Sequence, residues 1–139
     1  MHPDAYLRNM ATLTIVLATF GCAAVPQSGC APGEENSVND MMYFGTSKTV
    51  GVVTPEEWSE FLRASVTPRF PQGLTVWQAS GQWRNADGAV AHEATFVLNL
   101  VHPEDTRSEA ALSAITAEYK SRFNQEAVLR VKSHVCASF

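Results

Sequence analysis

Two runs of alternating residues meet at Asn85-Ala86-Asp87-Gly88. Asp-Gly supplies the positive backbone angles that a tight hairpin turn demands. The run from Leu74 to Ser80, continued past Gly81, and the run from Ala89 to Val101 therefore read as antiparallel neighbours. On the first, Leu74 and Val76 share one face and Thr75 and Trp77 the other, with Gly81 permitting a bulge or bend. On the second, Val90, His92, Ala94, Phe96, Leu98 and Leu100 share one face, and Thr95, Val97 and Asn99 the other. This hairpin constrains the fold most, because a helix-start signal lies on each side of it.

Upstream, Thr54-Pro55-Glu56-Glu57 pairs a capping threonine with a glutamate three residues on, and Pro55 sits where its missing N–H is harmless. Trp58, Phe61, Leu62 and Val66 follow at helical spacing, and Pro68 ends the helix. Downstream, Thr106 and Glu109 form the same box, and Leu112, Ile115, Tyr119 and Phe123 mark a buried stripe. Met41–Thr46 reads as a short first strand and Ala127–Phe139 as a last one. In the last, Leu129, Val131, Val135 and Phe139 point one way and Arg130, Lys132, His134 and Cys136 the other. The order strand, helix, strand, strand, helix, strand is a split βαββαβ unit, an α+β ferredoxin-like sandwich with two helices on one face of a four-stranded antiparallel sheet. The expected strand order is 4-1-3-2. The domain covers residues 41–139, preceded by a polar linker over 26–40 and a leader over 1–25.

The leader is read from Ala11–Val25, fifteen residues without a charge. That is short for a membrane span and suits the apolar region of a secretory signal. Cys22 after Gly21 is a candidate for lipidation, although Thr19 and Phe20 fit a lipobox poorly. The expected location is the periplasm or cell envelope, with membrane contact only through the leader or a lipid. Cys30 and Cys136 then form a disulfide candidate, clipping the linker to the last strand. With 139 residues and a net charge of −4, the chain is one domain whose ten scattered basic residues make no nucleic-acid surface.

No nucleophile elbow, phosphate loop or zinc-protease motif occurs. His92 and Glu93 are adjacent on a strand and point to opposite faces, and His102 reads as a strand-end residue. His134 and Cys136 offer two ligands where a closed metal site needs four, so neither metal nor cofactor is expected. Arg130, Lys132 and His134 are expected on the open sheet face, where with Gln82 and Arg84 they would bind a carboxylate or phosphate. A solvated polar strand face explains the same pattern.

From Tyr43 to Phe139 the chain resembles an uncharacterised bacterial family of small exported or lipoprotein-like proteins, domain of unknown function 3574. The resemblance rests on Tyr43-Phe44-Gly45, TPEEW at 54–58, TPRFPQGLTV at 67–76, GQWR at 81–84, RFNQEAVLRV at 122–131 and HVCASF at 134–139. It implies an envelope location and this fold, and no activity. The expected function is a non-enzymatic envelope module, monomeric or homodimeric, that binds a small anionic ligand or another envelope protein. The alternative is a dimeric α+β barrel enzyme, resembling monooxygenases, formed by pairing two open sheet faces.

Overall fold

The computed structural model describes residues 29–84 and 86–138. The expected leader and the lipidation candidate Cys22 lie outside the described residues. Among these, no helix is long and apolar enough to cross a membrane.

The elements run β1 (Glu35–Gly45), α1 (Pro55–Phe61), β2 (Thr75–Arg84), β3 (Val90–His102), α2 (Thr106–Phe123) and β4 (Leu129–Ala137). All pairings are antiparallel, in the order β2-β3-β1-β4. The expected order 4-1-3-2 is this one seen from the other edge.

Local chemistry sets the helix ends. Thr54 caps α1, accepting from the Glu57 N–H while the Glu57 carboxylate accepts from the Thr54 N–H. The apolar stripe continues past Phe61, but the backbone widens into a π-helical turn over Leu62–Val66, closed by Thr67 N–H to Leu62 O at 2.9 Å. Asp105, not Thr106, caps α2, its carboxylate accepting from Ser108 N–H at 2.7 Å. Asn124 ends that helix in the left-handed conformation.

β1 begins at Glu35, so residues 35–40 belong to the sheet rather than to the expected linker. β2 runs through Gly81 without a bulge, each residue from Thr75 to Arg84 facing one partner on β3. The core lies between sheet and helices. Trp58 of α1 stacks on Phe96 of β3 with centroids 4.9 Å apart, and Phe44, Phe61, Tyr119 and Phe123 pack around them. Arg69, just past the π-helical turn, ion-pairs with Glu118 of α2 and ties the two helical segments together.

The placement of Arg130, Lys132 and His134 on the open face is corrected by the register. Met42 faces Arg130, Asp40 faces Lys132 and Val38 faces His134 across β1 and β4. Val38, Asp40 and Met42 are fully buried on the helix side, so Arg130, Lys132 and His134 also point there. Leu129, Val131 and Val135 take the open face instead, with Leu129 and Val131 half exposed. A helix-side position on β4 suits a cation because β4 is an edge strand and α2 presents Glu109 beside it. Arg130 grips both Glu109 oxygens and both Asp40 oxygens at 2.6–2.9 Å.

Candidate functional site

Two polar assemblies stand out, on opposite faces of the sheet. On the helix side, Asp40 is wholly buried and accepts from Arg130 Nε and Nη2 and from His102 Nε2, the last at 2.8 Å. His102 Nδ1 lies 2.8 Å from the Pro103 carbonyl, so both ring nitrogens face acceptors. Lys132 bonds Glu104 and Glu109, and His134 Nε2 lies 3.3 Å from Glu104. The expected cationic ligand site is thus a set of ion pairs internal to the fold. Arg84 is also engaged, donating to the Gly88 carbonyl at 3.1 Å across the hairpin turn. Trp83 and Arg84 alternate to opposite faces and do not stack.

Burial alone would raise the Asp40 carboxyl, but the hydrogen bonds from Arg130 and His102 outweigh it and hold the group below its ordinary value. Glu109 is held at about 2 by hydrogen bonds from Arg130 and then Lys132. The Ser108 backbone N–H lowers Asp105. Acids lowered in the folded state contribute stability above their unfolded values near ~4 and lose it as pH falls through the folded ones. The melting temperature is therefore expected to be flat from pH 7 to about 5 and to fall between about 4.5 and 2. A Glu109→Gln variant should show a shallower acid limb; an identical limb would remove Glu109 from this account.

The second assembly lies on the open face. Across it runs the row Leu129, Tyr43, Val97, Trp77, with Val97 fully buried beneath its neighbours. One step along the strands the side chains become small: Gly45, Thr95 and Ala79 share the next row, and Gly81 faces Glu93 beyond it. This step opens a pocket of about 450 Å³ at the Gly45 end of the sheet. Tyr43 and the half-exposed Trp83 form aromatic walls, and residues 124–127 after α2 form a rim. Gly81 is required there, because a Cβ would meet Thr95 Oγ1 at 2.8 Å.

The pocket floor carries a carboxylate. Glu93 Oε2 accepts from the backbone N–H groups of Thr46 and Ser47 at 3.1 and 2.9 Å. Gln125 donates its amide nitrogen to the Ser47 and Phe123 carbonyls, which turns its oxygen the other way. A Cβ on Gly45 would lie 2.7 Å from Glu93 Oε1 and 3.1 Å from Gln125 Oε1. Two acceptor oxygens therefore converge above a glycine, and among the described residues no group donates to either. No lysine or arginine lines the pocket, while Glu126 adds a second carboxylate.

Of the five residues expected to bind an anion, Gln82, Arg84, Arg130, Lys132 and His134, only Gln82 lines this pocket. Tyr43 and Thr95, expected on the open face beside that site, line it as well, whereas Glu93 and Gln125 carry no such expectation from the sequence. The available signal was glycine at two strand positions, Gly45 and Gly81, which marks close approach to a neighbour or ligand. Cys136 is bonded to Cys30, which removes its sulfur from metal ligation.

The fold has solved counterparts. A phage SAM lyase in complex with S-methyl-5'-thioadenosine superposes with a TM-score of 0.56 at 12% identity, covering 81% of this chain and 95% of that one. Its apo form gives 0.53 at 13%, covering 75% and 90%. CutA from Synechococcus elongatus PCC7942 gives 0.50 at 12%, covering 74% and 80%. At such identities the likeness is one of fold. No curated protein matches the sequence. A family model does, over residues 39–139, and the chain belongs to that family, protein of unknown function (DUF3574).

Proposed function

We propose that this chain is an exported binding module that holds a small ligand, without turnover, in the pocket at the Gly45 end of its open sheet. The observation that carries the reading is the pocket itself: a floor of small residues, two aromatic walls and acceptors left over from the protein's own hydrogen bonding. Ligand sites are concave, mostly apolar and fitted with a few polar groups. Export is supported by the Cys30–Cys136 bond, since such bonds persist in oxidising compartments, and by the uncharged run Ala11–Val25. The expected anionic ligand loses its support, because Arg130 and Lys132 are paired with carboxylates on the other face and Arg84 is engaged by the Gly88 carbonyl.

One observation favours a second reading, pairing of two open faces. Trp77, Val101, Leu129 and Val131 are between 37% and 49% exposed on a face whose charged strand residues are Glu35 and Glu93 alone. A four-stranded face of about 19 by 30 Å offers roughly 600 Å² per partner, near the lower bound for a stable complex. Such a barrel is the frame of the enzymatic alternative, with the pocket enclosed.

Native mass spectrometry of the protein recovered from the cell envelope tests both. The expected spectrum is a chain without its leader, carrying a small-molecule adduct that the Trp83→Ala variant loses. An adduct-free chain, or an adduct indifferent to Trp83, would overturn the binding module. A dimer that Val131→Glu converts to monomer would establish the pairing, and a monomer before substitution would dismiss it.

A further inference from the structure

We propose that the pocket selects ligands bearing a primary ammonium group on an aromatic body. The inference rests on the pocket reading above and specifies its chemistry. Three observations converge on it. Glu93 is fixed by two backbone N–H groups on one oxygen, which leaves the other aimed over Gly45. Gln125 is fixed by its own amide donors, so its oxygen meets the same space. Both fixed groups are acceptors, and an ammonium carries three donors and no acceptor.

An anion in the same place would meet the two carboxylates Glu93 and Glu126 with no lysine or arginine among the lining residues. A neutral hydroxyl would donate to one of the two oxygens and leave the other unsatisfied. Charge-assisted hydrogen bonds to a carboxylate are about twice as strong as neutral ones. The remainder of the ligand lies against Tyr43 and Trp83, whose rings favour a flat apolar body. Gly45 is the key to the geometry, since any side chain there would fill the space where the two oxygens meet.

The test is a matched series, benzylamine, benzyl alcohol and benzoate, titrated against the full domain by tryptophan fluorescence and calorimetry at pH 7. Benzylamine is expected to bind at least about 10-fold more tightly than benzyl alcohol, and benzoate not to saturate. Glu93→Gln should abolish the preference for benzylamine over benzyl alcohol, because it removes the charge that strengthens the ammonium hydrogen bond. If that substitution disturbs the loop held by Glu93, Gly45→Ala offers an independent probe. Its methyl group displaces both oxygens and should remove the preference with the melting transition retained. Equal binding of benzylamine and benzyl alcohol, or a preference that survives both substitutions, overturns the ammonium inference and leaves the pocket standing. Binding of none of the three overturns the pocket reading along with it.

Discussion

Asp40→Ala is expected to lower the unfolding free energy by about 3–5 kcal/mol, measured from the midpoint and slope of a urea titration. Asp40 is fully buried, and its two oxygens accept three hydrogen bonds, two from Arg130 and one from His102. Removing it strands His102, which is nearly as buried, opposite an empty site. Breaking a buried pair from one side leaves the other charge desolvated without compensation, which makes the effect large. Arg130→Ala should fall in the same range, because it leaves Asp40 with His102 alone. Glu109→Gln should fall within about 1 kcal/mol, since Glu109 is partly solvated. The Asp40→Ala/Arg130→Ala double variant should be well below the sum of the singles, as members of one network are not additive. An Asp40→Ala midpoint within about 1 kcal/mol of the parent would show that water relieves the site.

The same network explains which parts of the fold were legible. Periodicity and capping mark both helices and the central hairpin, because each of those signals is local, and the sheet order follows from the connection rules of the βαββαβ unit. The faces of β4 were a different matter. The strict alternation from Leu129 to Val135 is visible in the sequence, yet alternation states only that two sets of residues part company. Which set faces the helices depends on register against β1, and a shift of one residue exchanges them. The apolar set would ordinarily be assigned inward. Here Asp40 reverses the choice, because it needs a cation on its own side of the sheet, and Arg130 and Lys132 answer it and Glu109 together. Asp40 gave no warning in the sequence, since it closes the polar stretch Glu35–Asp40 that reads as linker.

The pocket was obscured for a related reason. Its contacts come from all four strands, the loop after β1 and the turn after α2, and they converge only once the sheet is assembled. Charge and aromatic content drew attention to Gln82, Trp83 and Arg84, of which Arg84 serves the hairpin. Glu93 looked like the neighbour of His92 and no more. What distinguishes it is its backbone partners at Thr46 and Ser47, 47 and 46 residues away, which no local pattern encodes.

Removing the disulfide by Cys30→Ser with Cys136→Ser is expected to cost about 3–5 kcal/mol of stability. The cross-link closes a segment of 106 residues, so it removes much of the freedom of the unfolded chain. Its place in the sheet determines where the loss appears. It joins the residue five before β1 to the end of edge strand β4, next to the pair Asn36 and Cys136. In the sheet β4 pairs with β1 alone, while β1 is also held by β3. Without the cross-link, the outer pairs from Glu35–Ala137 to Ser37–Val135 have no covalent restraint and lie beyond the Asp40–Arg130 ion pair. Hydrogen exchange should therefore accelerate first in residues 133–137 and 35–37, while the amides of β2 and β3 keep their protection until global unfolding. A uniform rise in exchange would mean that the bond acts wholly through the unfolded chain. Unchanged exchange and a midpoint within about 1 kcal/mol would mean that the ion-paired half of β4 holds the edge by itself.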